Sequence, residues 1–203
     1  GAARRVTSGD FDHGSPQWMP DGLSILFSGL RADDAEYQYR ESALYSVDVS
    51  SGGIRQVTTR RGSETNPLPS PDGSLIAYQG NEFTTDTYVE QELYVMNADG
   101  SGSRVIAREV GGISGVTWAA DGRGLYFTSS MRGTSNLWFA PLSGEPRSVT
   151  EGNHMLSSTD IADNGSVVGV RTSYHEPGSL VSYSLNSPSK IRVLKRTNET
   201  VLD

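Results

Sequence analysis

The 203-residue chain is acidic, with a formal net charge of −7, a pI near 5.0, no cysteine and 23 glycines. It lacks the basic footprint of a nucleic-acid binder, and without cysteine it can hold no disulfide, thiolate metal site or cysteine nucleophile. Hydrophobic residues make up only 35%, and no run approaches the roughly 18 apolar residues of a membrane helix, so the expectation is an all-β protein rich in turns.

Taken in order, the chain opens on Arg4-Arg5-Val6-Thr7, a string that returns as Arg55-Gln56-Val57-Thr58 and Arg147-Ser148-Val149-Thr150. A first strand then runs into Trp18-Met19-Pro20-Asp21-Gly22. The same unit recurs as Pro69-Ser70-Pro71-Asp72-Gly73, Trp118-Ala119-Ala120-Asp121-Gly122 and Ile161-Ala162-Asp163-Asn164-Gly165. An Asp-Gly or Asn-Gly pair between β-rich runs signals a hairpin, with both central residues of a type I′ turn at positive φ. After each turn comes an apolar run: 23–27, 75–78, 125–127 and 167–170. Continuous apolarity suits an inner strand covered on both faces. A third strand follows at 44–48, 93–97, 137–140 and 180–183, then a Gly- or Ser-rich turn, then a fourth at 55–58, 104–106, 147–150 and 192–194. No window carries a 3.6-residue period, so almost no helix is expected.

The turn glycines fall at 22, 73, 122 and 165, spacings of 51, 49 and 43 residues. Repeats of about 40–50 residues with four strands each are propeller blades. The predicted fold is therefore an all-β propeller of about four four-stranded antiparallel blades, at 8–60, 61–108, 109–151 and 152–196. The fourth blade already has its own last strand. The Arg4–Thr7 copy is then surplus, and residues 1–7 read as the last strand of a preceding blade. We expect a piece of a larger propeller; the rival reading is a closed four-bladed ring with a spare edge strand. A fragment would expose apolar faces on its end blades, so homodimerisation through open blade edges is expected.

The longest interruptions lie between the second and third strands, at 28–42 and 79–91. They are polar and aromatic, and such loops sit on a propeller rim, where binding residues collect. The first holds Arg31, Glu36, Tyr39, Arg40 and Glu41, the candidate substrate rim. Carboxylates there would hold an amine, and an arginine fork a carboxylate or acyl carbonyl. The plainer reading is a solvated loop.

The W-x-P-D-G unit, the strands I-L-F-S and L-Y-x-V-D, and R-x-V-T resemble the propeller of prolyl oligopeptidase-family serine peptidases, especially acylaminoacyl-peptidase and dipeptidyl-peptidase-like members. The resemblance covers essentially the whole chain, and 197–203 looks like the segment that exits toward the hydrolase domain. The repeat alone is also carried by the Tol-system periplasmic propeller. The resemblance implies a non-catalytic propeller that gates and positions short peptides for a separate α/β-hydrolase domain, the missing partner. It implies that this chain alone is not an enzyme. No Gly-x-Ser-x-Gly elbow occurs: Gly100-Ser101-Gly102-Ser103 and Gly112-Ile113-Ser114-Gly115 have the wrong spacing. The alternative is a free-standing protein-binding propeller. A full hydrolase built into these loops has no supporting spacing.

Remaining motifs are read as structural. His13 and His154 precede first strands, and neither they nor His175 show metal-ligand spacing. Residues 97–102 resemble half a calcium loop, but position twelve is Arg108. Trp18, Trp118 and Trp138 are expected in the core between blades. No metal and no cofactor is expected. The sequence shows no signal peptide and does not choose between cytoplasm and periplasm.

Overall fold

The described residues form four antiparallel meanders of four strands each. A computed structural model describes residues 2–197. The first sheet holds β1 (Gly14–Trp18), β2 (Ser24–Gly29), β3 (Ala43–Asp48) and β4 (Ile54–Gln56), in that order. The second holds β5 (Gly62–Pro69), β6 (Leu75–Glu82), β7 (Glu92–Asn97) and β8 (Arg104–Ala107). A third meander contains β9 (Ile113–Trp118), β10 (Gly124–Met131), β11 (Thr134–Pro141) and β12 (Arg147–Ser148). The fourth contains β13 (Met155–Ile161), β14 (Ser166–Ser173), β15 (Glu176–Ser184) and β16 (Ser187–Arg196). One parallel bridge, Ser135 to Met155, joins these last two into an eight-stranded sheet. The sole helical element among the described residues is a 3₁₀ turn, Ala35–Tyr37. Two compact units divide the chain, Gly1–Val105 and Ile106–Asp203.

The four Asp/Asn-Gly turns are near-copies. Gly22 donates to Met19 O at 2.9 Å, Gly73 to Ser70 O at 2.9 Å, Gly122 to Ala119 O at 2.8 Å and Gly165 to Ala162 O at 2.8 Å. Each glycine lies at φ between 68° and 77°. The residue before it does not have positive φ, so these are not type I′ turns. They are type I turns with glycine at the fourth position, where Pro20 and Pro71 suit the second. The carboxylate or amide of the third residue accepts from the N–H two residues on: Asp21 from Leu23, Asp72 from Ser74, Asp121 from Arg123, Asn164 from Ser166. That bond explains Asp at a site that does not need left-handed backbone.

A second device repeats in the first strand of every meander. Two residues oppose one between Gly14 and Gln17, Thr65 and Leu68, Ser114 and Thr117, and Ser157 and Asp160. At these bulges Ser15, Asn66 and Gly115 have φ of 48°, 52° and 60°. Prolines 16 and 67 follow at once. A bulge on an edge strand is where a sheet tolerates proline.

In the first unit, Leu26, Leu44 and Val57 pack onto Ile76, Tyr78, Tyr94 and Met96 of the second sheet. In the second unit, Leu137 meets Leu156, Val167, Val181 and Tyr183. Burying each such side chain is worth about 1.5–3 kcal/mol. The R-x-V-T ending has a specific task. Thr58 Oγ1 accepts from Leu44 N at 2.9 Å and Thr150 Oγ1 from Leu137 N at 2.9 Å. Serines then tie successive sheets. Ser42 Oγ donates to Glu64 O at 2.8 Å, and Ser135 Oγ to Leu156 O at 2.8 Å.

The core placement expected for Trp18 and Trp138 needs correction. Arg4–Thr7, expected to pair within a preceding blade, is in no ladder among the described residues. Val6 instead packs on the cluster of Phe27, Ala43, Tyr45 and Val47, and Arg4 donates to Val49 O. Side chains hold the segment, because no ladder partner lies beside it among the described residues. Trp18 is 56% exposed. Met19, not Trp18, reaches the core. Trp118 is buried and Trp138 only partly so. Residues 97–102 form the β7–β8 turn, with Asn97 N donating to Ser101 O and Gly100 N to Asn97 O. Of the expected exit segment only Thr197 lies within the described residues, where its N–H donates to Gly178 O.

Candidate functional site: an acidic cleft in the first unit

Antiparallel pairing fixes where the cleft forms. Gly14 at the start of β1 stands opposite Ser28 near the end of β2. The segment before β1 and the loop after β2 must therefore meet at one end of the sheet. Between them lies a cleft of about 950 Å³. Asp10 and Asp12 line it from the entering segment; Asp33, Glu36 and Glu41 line it from the loop, together with Tyr39. No lysine or arginine is among the lining residues.

Tight turns shape the loop. Tyr37 N donates to Asp34 O, Gln38 N to Ala35 O and Glu41 N to Gln38 O, at 2.9–3.0 Å. Arg31 fastens the entering segment to it. Its guanidinium lies 4.3 Å over the Phe11 ring, donates to Ser8 O at 3.0 Å and approaches His13 Nε2 at 3.1 Å. Burial, and then the Arg31 cation, hold the His13 pKa below its ordinary value. The ring is thus neutral at pH 7 and its Nε2 can accept from Arg31. His13 also packs edge-on against Phe27 at 4.7 Å.

Arg40 reaches the corresponding loop of the second sheet, donating to Thr84 O and Asp86 O. Arg61 pairs with Glu41 at 3.0 Å and lies 3.8 Å over Phe83. The five sequence-selected residues therefore part company. Arg31 and Arg40 spend their guanidiniums on main-chain carbonyls and rings and offer no free fork. Glu41 is already paired. Glu36 and Tyr39 remain exposed at the cleft. Asp10 and the cleft-facing part of Asp12 escaped the sequence reading. Hairpin geometry was the missing signal, since it places the residues before a first strand beside those after a second.

The cleft can hold a cation. It has no group poised for acyl transfer, and among the described residues no serine hydroxyl is hydrogen-bonded to a histidine ring. Nor does any group of three His, Asp or Glu among them suit a metal ion. No helix among the described residues is long and apolar enough to cross a membrane.

No family model matches the chain. It is 28% identical over 193 residues to dipeptidyl-peptidase 5 of Porphyromonas gingivalis, covering 92% of this chain and 28% of that protein. It is 33% identical over 95 residues to the Tol-Pal system protein TolB of Anaeromyxobacter dehalogenans, covering 47% of this chain and 19% of that one. Among solved structures, the β-propeller domain of the Trilobed protease from Pyrococcus furiosus, described as having an open velcro topology, superposes with a TM-score of 0.68 and 21% identity, over 92% of this chain and 53% of that chain. This last likeness is one of fold. The chain spans less than a third of the length of either curated relative. Its relatives and structural neighbours thus include peptidases of the prolyl oligopeptidase family and their propeller domains, the family its W-x-P-D-G units resemble.

Proposed function

We propose that the chain is the non-catalytic propeller portion of a serine peptidase, with blades at 8–60, 61–108, 109–151 and 152–196. In this reading it gates and positions short peptides for a separate α/β-hydrolase domain. The observation that carries it is the match to dipeptidyl-peptidase 5 along 92% of the chain. The acidic cleft supports a finer statement: Glu36, with Asp10, Asp12 and Asp33 around it, receives the ammonium group of a short peptide, and Tyr39 contacts its first side chain. Arg31 and Arg40 shape the rim.

Calorimetric titration of short peptides into the chain tests this. A free amino terminus should bind at least tenfold tighter than its acetylated form, and Glu36→Gln should weaken only the former. Equal binding of both forms would remove the cleft from the reading. Turnover of a dipeptide chromogenic substrate by the purified chain alone would sink the non-catalytic assignment.

A second reading is a protein-binding propeller, favoured by the TolB match at 33% identity. The native protein in its source organism separates the two: a hydrolase domain joined to this segment supports the peptidase, and a native protein without one supports the binding module.

A further inference from the structure

The chain's only lysines, Lys190 and Lys195, lie in β16, which also holds Arg192 and Arg196 and no acidic residue. This strand has ten residues and, among the described residues, ends its sheet and pairs only with β15. Its outer edge leaves main-chain donors and acceptors with no strand beside them among the described residues. All four cations are exposed, and none makes an ion pair within 4 Å among the described residues. Register places Arg192 opposite Ser182 and Lys195 opposite Leu180. That face also carries Val168, so exposed apolar groups adjoin the cations: Val168 at 40%, Leu180 at 44% and Leu194 at 43%.

We propose that β16 is a docking edge for an extended acidic polypeptide segment, which adds to the sheet as a further strand. Main-chain bonds to the open edge would supply affinity, and alternate carboxylates facing the Lys and Arg side chains would supply selectivity. The same charges work against the commonest hazard of an open edge. Two β16 strands from two copies would set cation against cation, which opposes self-pairing. An edge that rejects its own kind by charge accepts the opposite charge for the same reason. The inference does not depend on the peptidase reading, because it uses only this strand's edge and its charge.

Amide hydrogen exchange of the 203-residue chain tests it. The probes are two synthetic ten-residue peptides, one alternating Glu with Thr and one alternating Lys with Thr. The Glu peptide, at saturating excess, should slow exchange of β16 amides at least tenfold, with little change in the Asp10–Glu41 region. Raising salt should weaken the effect, and Lys195→Glu or Lys190→Glu, each exposed and outside any core cluster, should diminish it severalfold. Equal protection by both peptides overturns the proposal, as does protection confined to other strands. The same slowing by anionic lipid vesicles or DNA also overturns it, since that would mark a general anion surface.

Discussion

Glu64 is a carboxylate at the position where the fourth meander buries Leu156. It precedes the bulge of β5 as Leu156 precedes that of β13, and both backbones accept from the clamping serine of the preceding sheet. Its side chain is fully buried. Arg60 meets it at 3.3 Å without a well-aligned hydrogen bond, and the guanidinium lies 4.3 Å over Tyr94. Burial raises the Glu64 pKa, with the nearby Thr58 hydroxyl and the Arg60 cation opposing. The folded state thus binds a proton more readily than the unfolded chain. Its stabilising share is complete below the ordinary value of 4.5 and is lost as pH rises through the raised one. Unfolding by denaturant across that range should show this slope in the native chain and not in Glu64→Gln. The pair Arg60→Met with Glu64→Leu should be neutral to about 3 kcal/mol stabilising, because well-packed hydrophobes often replace a buried ion pair without loss. Asn164 gives the converse case. Asp fills its place in the three sister turns, so Asn164→Asp should change stability by less than about 0.5 kcal/mol and leave the turn intact. A loss above about 1 kcal/mol in thermal unfolding would refute that equivalence.

At the scale of the strand, the fourth element of the first and third repeats is defined less by ladder length than by its terminal threonine. β4 has three residues and β12 two, yet Thr58 and Thr150 are buried and each caps a third-strand N–H. Thr150→Val keeps the shape and strands the Leu137 N–H. It should cost about 1–3 kcal/mol, while Thr150→Ser should recover most of it. Equal stability of the Val and Ser variants in equilibrium unfolding would refute the cap. Two of the turn aspartates, Asp72 and Asp121, act in the other direction on pH. Hydrogen bonds from Ser70 and Ser74 hold Asp72 at about 2, so its contribution is present above 3.8 and fades as pH falls toward 2. Legibility differed by element. Second and third strands were plain because their apolar runs are continuous, and Leu44, Leu93 and Leu137 are fully buried. The first strands were blurred by the bulge, which shifts alternation by one residue; Trp18 lies exposed although its counterpart Trp118, after the same bulge, is buried. The type I′ expectation failed because an Asp-Gly pair serves equally well with Asp under its own Asx bond and only Gly at positive φ.

Across the whole molecule, repeat spacing made the architecture readable, while the cleft was half hidden. Glu36 and Tyr39 stand out in a long polar loop. Asp10 and Asp12 belong to the site only through the pairing of Gly14 with Ser28, a contact between distant parts of the chain. Charge is also uneven: the five lining carboxylates all fall within residues 10–41, and β16 is purely basic. We propose that copies associate through uncovered apolar faces, since edge pairing of β16 is opposed by charge. Sedimentation should then show a concentration-dependent species of twice 21.9 kDa. A monomer at every concentration would exclude it.

The bulge shared by the four first strands carries one more consequence. Each such strand holds a built-in phase slip of one residue, repeated at the same point of every unit. Tandem duplication copies a slip faithfully, but a single-residue deletion at Ser15 would erase it in one unit only. The residues upstream would then exchange faces while Trp18 stayed where it is. The length of each unit varies at its loops, as the spacings of 51, 49 and 43 residues show, yet within the first strand the count is fixed to the residue.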